Sequence, residues 1–132
     1  MLTEDYCNFE TAKLLKEKGF DGDGGDCECH MFYCDYTEER IMPICEIGLI
    51  PDNEEAFFAP THQMAMKWLR EMHNIFIVIE PHMYDYINEK NSSYVITLWQ
   101  GDNYYENVTS KDYSTYEEAV EAALKYSLEK LI

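Results

Sequence analysis

Three stretches of the chain repeat their apolar positions with helical spacing, and alternating or wholly apolar runs lie between them. In the first, from about Asn8 to Lys18, Phe9, Ala12 and Leu14 or Leu15 fall on one face. Asn8 suits the N-cap, Glu10 and the pair Lys16 and Lys18 match the two ends of the helix dipole, and Gly19 suits a left-handed stop with Phe20 folding back. The second runs from Pro60 or Thr61 to His73, with Pro60 at the first helical position, where its missing N–H costs nothing. Met64, Ala65, Trp68, Leu69 and Met72 form its inward face, Gln63, Lys67, Arg70 and Glu71 its polar face, and Asn74 its stop. The third opens on Ser114-Thr-Tyr-Glu117, read as a capping box. Tyr116, Ala119, Val120, Ala123, Leu124, Leu128 and Leu131 then form an apolar stripe.

Strand signals fill the intervals. His30–Tyr36 and Ile41–Ile47 flank a polar Thr37–Arg40 turn, and Tyr94–Gln100 and Tyr104–Val108 flank Gly101–Asn103, predicting two hairpins. Ile75–Ile79 is apolar on both faces, which places it centrally in the sheet, with Pro81 ending it. The predicted order is α-β-β-α-β-β-β-α. Hairpins rather than strict β-α alternation indicate an α+β fold: a mostly antiparallel sheet of about five strands with three helices packed on it. A chain of 132 residues, 46% of them apolar and with no Pro/Ser/Gly-rich linker, reads as one domain over residues 1–132.

Charge narrows the function. Ten Lys and Arg against 26 Asp and Glu give a net charge of −16, which argues against general nucleic-acid binding and disfavours docking on anionic membranes. The longest aliphatic and aromatic run, Ile75–Ile79, is too short to span a bilayer, and the opening residues lack the basic and apolar segments of a secretion signal. An odd set of cysteines (Cys7, Cys27, Cys29, Cys34, Cys45) then fits free thiols in a reducing cytoplasm.

Three stretches together carry a resemblance: Phe9–Phe20 (FETAKLLKEKGF), Ala59–Glu71 (APTHQMAMKWLRE), and Tyr113–Ala119 (YSTYEEA) running on to Leu128–Ile132 (LEKLI). Over these helices, somewhat less than half of the chain, it resembles a family of small uncharacterised proteins from gut bacteria and their phages and prophages. The resemblance implies a bacterial or phage cytoplasmic setting and an accessory role. It brings no catalytic or binding residue with it.

The candidate chemistry is sparse. Cys27, Cys29, His30 and Cys34, with Cys45 on the following strand, are a permitted zinc set, but alternate thiols on a strand need a second close pair to meet them, and no C-x-x-C knuckle is present. In the Asp21–Asp26 segment, the positions that would complete a calcium loop hold Gly25, Asp26 and Phe32. His62 and His73, eleven positions apart, lie about three helical turns from one another, too far to share a metal. No nucleophile elbow or phosphate-cradling loop occurs. The expectation is therefore no enzyme, no metal and no cofactor.

Aromatics are the stronger signal. Seven of the 11 tyrosines fall between Tyr84 and Tyr116, beside Trp99 and several asparagines, a composition suited to contact surfaces. Tyr84, Tyr86, Tyr94, Trp99, Tyr104 and Tyr105 are the predicted protein-contact residues. The function expected is non-enzymatic binding of another protein, with a basic surface on the partner and self-association both compatible. The alternatives are a DNA-mimic inhibitor of a basic nucleic-acid-binding protein, and a metal-binding or hydrolytic protein using the Cys27–Cys34 cluster. Metal analysis after purification without chelators should return well under one zinc per chain; a stoichiometric ion would instead support the cysteine cluster.

Overall fold

The computed structural model describes residues 5–20, 31–34, 42–43, 56–83, 92–106 and 112–132. The elements are α1 (Phe9–Glu17), β1 (Met31–Cys34), β2 (Met42–Pro43), β3 (Ala56–Phe58), α2 (His62–His73), β4 (Ile75–Met83), β5 (Ser92–Gln100), β6 (Asn103–Glu106) and α3 (Tyr116–Lys130). The fold is α+β and its ladders are antiparallel. The six described strands form two three-stranded sheets, ordered β2-β1-β3 and β4-β5-β6, instead of the expected five in one sheet. The additional strand, Ala56–Phe58, is too short to show a period. Two compact units result, Met1–Ala65 and Met66–Ile132.

In the first unit, α1 is capped at both ends by its sequence. Asn8 Oδ1 accepts from Thr11 N at 2.9 Å. At the other end Phe20 N donates to Leu15 O (2.9 Å) and Gly19 N to Lys16 O (3.1 Å), the paired bonds of a Schellman motif. Gly19 has φ 103°, a conformation that L side chains rarely adopt. Ala12 and Leu15 are buried as expected, with Thr11 beside them. Strand β1 is central in its sheet, pairing Met31 with Pro43 and Phe32 with both Met42 and Phe58. The first predicted hairpin is thus present where it is described; Thr37–Arg40 lies outside the described residues.

Helix α2 begins at His62, after the expected Pro60 or Thr61. Thr61 is its cap, its Oγ1 accepting from Met64 N at 3.2 Å, and Pro60, expected at the first helical position, precedes the cap. Ala65, Met66 and Leu69 are buried, whereas Met72 is exposed: the buried arc is rotated toward Met66 and away from the last turn. Lys67 and Glu71 form an exposed i,i+4 pair at 4.0 Å. Asn74, at φ 56°, takes the left-handed position that ends the helix.

In the second unit, β5 is the central strand and β4 an edge, contrary to the expectation for Ile75–Ile79. Nor does Pro81 end β4, which continues to Met83. The ladder explains why. Tyr94 N donates to Tyr113 O (2.8 Å) and Tyr113 N to Tyr94 O (2.9 Å), so the backbone groups of Tyr94 point away from β4. Pro81, which faces Tyr94, therefore occupies a non-hydrogen-bonded site, and its ring nitrogen lies on the open side of an edge strand. Strands β5 and β6 are joined by Gly101-Asp102, with Gly101 at φ 59°, the positive angle at the first central residue that a II′ turn requires.

Helix α3 packs on one face of this sheet. Ala119 and Ala123, both small, let it approach Ile96 and Leu98, and Ile77, Ile79, Tyr105, Tyr113 and Tyr126 close the periphery. Gln100 Nε2 donates to Leu131 O at 2.9 Å, fixing the end of the helix to β5. The buried Ser127 hydroxyl is satisfied by Ala123 O at 2.8 Å.

The capping box is shifted by one residue. Thr115, extended at φ −129°, ψ 155°, accepts from Glu118 N at 3.1 Å, while Ser114 only bonds the exposed Glu118 carboxylate. Ser-Thr-Tyr-Glu-Glu fits the same pattern in two registers, and the apolar stripe starting at Ala119 selects the second. Thr115→Ala should cost about 1 kcal/mol in urea unfolding, and Ser114→Ala less than about half of that; the reverse ranking would return the cap to Ser114.

Candidate functional site: the outer face of the second sheet

Because side chains alternate along a strand, α3 covers one face of β4-β5-β6 and the intervening residues lie on the other. Its residues are Phe76, Val78 and Glu80 on β4, Val95, Thr97 and Trp99 on β5, and Tyr104 and Glu106 on β6. The register aligns Phe76 with Trp99 and Trp99 with Tyr104, a row of three aromatic rings across three strands. The next rung is Val78, Thr97 and Glu106.

This face is apolar and accessible at once. Phe76 is 44% exposed, Val78 38%, Trp99 43% and Tyr104 50%. Trp99 and Tyr104 pack against each other, ring centroids 4.5 Å apart and planes tilted by 49°. Thr97, on the central strand of the same face, is buried. Glu80 and Glu106 stand one rung beyond Val78 and Tyr104 along their strands and are exposed, as is Asp102 in the adjoining turn. The three strands and the turn carry three carboxylates and no lysine or arginine.

The predicted contact residues separate. Trp99 and Tyr104 come together on the outer face. Tyr94 and Tyr105 point the other way and pack against the α3 core, Tyr94 also meeting Tyr116 edge-on at 6.1 Å. Tyr84 and Tyr86 lie outside the described residues. The sequence reading missed Phe76 and Val78. Their signal was present, as apolar residues on both faces of Ile75–Ile79, but was assigned to double burial; on this edge strand half of it is the accessible row.

A second chemistry-bearing pair lies in the first unit. The Tyr6–Thr61 bridge, with Cys7 N donating to Pro60 O and His62 N to Asp5 O (both 2.9 Å), sets Cys7 beside His62. The Cys7 sulfur and a ring nitrogen of His62 lie within 4.8 Å. The thiol makes a long contact, 3.9 Å, as donor to Thr61 O. With Cys7 wholly buried, it packs as a small apolar group shielded from solutes. His73 is held elsewhere, edge-on to Trp68 at 4.7 Å. Of the proposed cysteine cluster, Cys34 is on β1, and Cys27, Cys29, His30 and Cys45 lie outside the described residues, as does Asp21–Asp26.

No protein-family model, curated protein or solved structure matches this chain.

If the outer row is not part of the core, its removal should be tolerated. Trp99→Ser is expected to cost about 1 kcal/mol or less in urea unfolding. Its neighbour on the helix side sets the contrast: Leu98→Ala should cost about 2–5 kcal/mol. Equal losses would make Trp99 a core residue.

Proposed function

We infer that this chain is a non-enzymatic binding module that docks another protein on the outer face of β4-β5-β6. The carrying observation is the accessible Phe76–Trp99–Tyr104 row. Side chains of this size on a strand pair normally earn their place by burial, and aromatic residues are enriched where burial comes from a partner. Two rigid rings already in contact lose little conformational freedom on binding, so the surface is pre-organised. The setting, a bacterial or phage-associated cytoplasm, rests on the resemblance of the three helical stretches. No described helix is long and apolar enough to cross a membrane.

A photo-crosslinking amino acid placed at position 104 in expressing cells tests this reading. A discrete adduct is expected there, lost when Phe76→Ser is added, and none from the exposed helical position 125. Adducts of equal yield at 104 and 125, or a yield at 104 indifferent to Phe76→Ser, would overturn it.

A further inference from the structure

We propose that the partner meets the outer face with arginine side chains, seated on the Trp99–Tyr104 pair and forked by the flanking carboxylates; this rests on the docking face inferred above. The face combines two features that one side chain satisfies together. Its centre is a tilted pair of exposed aromatic rings, and the face of an indole attracts a cation, most strongly a planar guanidinium that can also stack. Its flanks are carboxylates. Glu106 follows Tyr104 by two residues on β6 and Asp102 lies in the turn beside Trp99's end of β5, while Glu80, opposite Val95, stands farther along the face, about 13 Å of strand from the ring row, where a second arginine would meet it. A guanidinium offers parallel donors to a carboxylate while its plane lies on a ring, whereas an ammonium is a strongly hydrated point charge.

Charge also selects among occupants. Among the described residues, β4, β5 and β6 carry these acids without a lysine or arginine on the same strands. A second copy would bring the same acidic face and a further net charge of −16 to this surface. An acidic or neutral partner would cover the rings but leave the flanks unpaired. An arginine-bearing protein segment, with aliphatic residues to cover Phe76 and Val78, matches both centre and rim.

The test uses the full chain carrying Trp68→Phe, so that Trp99 alone reports by fluorescence. The probes are two synthetic peptides of equal length, one alternating arginine with leucine, the other lysine with leucine. The arginine peptide should shift Trp99 emission and bind at least about five-fold more tightly than the lysine peptide. Glu80→Gln with Glu106→Gln should weaken it by about five-fold or more, and raised salt should weaken it in the parent but less in that variant. Equal affinity for the two peptides, or affinity indifferent to the glutamine changes, overturns the arginine assignment. If that happens while the position-104 adduct remains sensitive to Phe76→Ser, the docking face stands and only the partner's chemistry is wrong. Loss of both removes the face itself. Concentration-dependent dimerisation in sedimentation, abolished by Phe76→Ser, would assign the face to a second copy and equally overturn the proposal.

Discussion

The seating of α3 on one face of β4-β5-β6 is the constraint from which the rest of the second unit follows. Ala119 and Ala123 bring the helix axis close enough for Ile96 and Leu98 to be fully buried, and the period of two along each strand then fixes what every other residue can do. Ile75, Ile77 and Ile79 turn inward, so Phe76, Val78 and Glu80 turn outward. A one-residue slip between β4 and β5 would send the isoleucines to the open face and the phenylalanine into the helix interface. The II′ turn at Gly101-Asp102 sets the β5–β6 register in the same way, so Tyr104 opposes Trp99. The aromatic row is therefore a consequence of core packing and register, held in place by groups on the opposite face of the sheet.

What the sequence made legible was governed by local rules. Asn8, Gly19 and Asn74 mark helix ends through their own side chains or backbone freedom, and each is where its chemistry predicts. The outcome differs where two local patterns compete or where tertiary pairing decides. Ser114 and Thr115 both satisfy the capping rule, and only the burial of Ala119 and Val120 separates them. Pro81 reads as a strand terminator until its neighbour Tyr94 is known to bond away from it, a fact belonging to Tyr113, nineteen residues further along the chain. Met72 fits the helical period, yet is exposed because a helix buries only as long as something covers it.

The candidate site was legible in composition and illegible in orientation. A cluster of tyrosines around Trp99 identifies the region without saying which rings share a face. Pairing resolves it: Tyr104 joins Trp99, while the adjacent Tyr105 goes to the core. The apolar run Ile75–Ile79 shows why the assignment could not be made earlier. A strand buried on both faces and an edge strand with one accessible apolar face have the same one-dimensional pattern, and only strand order distinguishes them.

Strong acidity and exposed aromatic rings are coupled properties in such a surface. An open sheet face with an adjoining edge strand invites indiscriminate pairing between copies, and proteins restrain it with charge and proline. Glu80 and Pro81 lie in succession on the exposed edge strand, and Glu106 ends the described part of the opposite one. With a net charge of −16, two approaching copies repel at the range where the rings could first touch. In the proposed docking, the carboxylates that oppose self-association would be the same groups that draw in a cationic surface. Exclusion of one partner and attraction of the other would then be a single electrostatic device, and the aromatic row would need no deeper pocket to be selective.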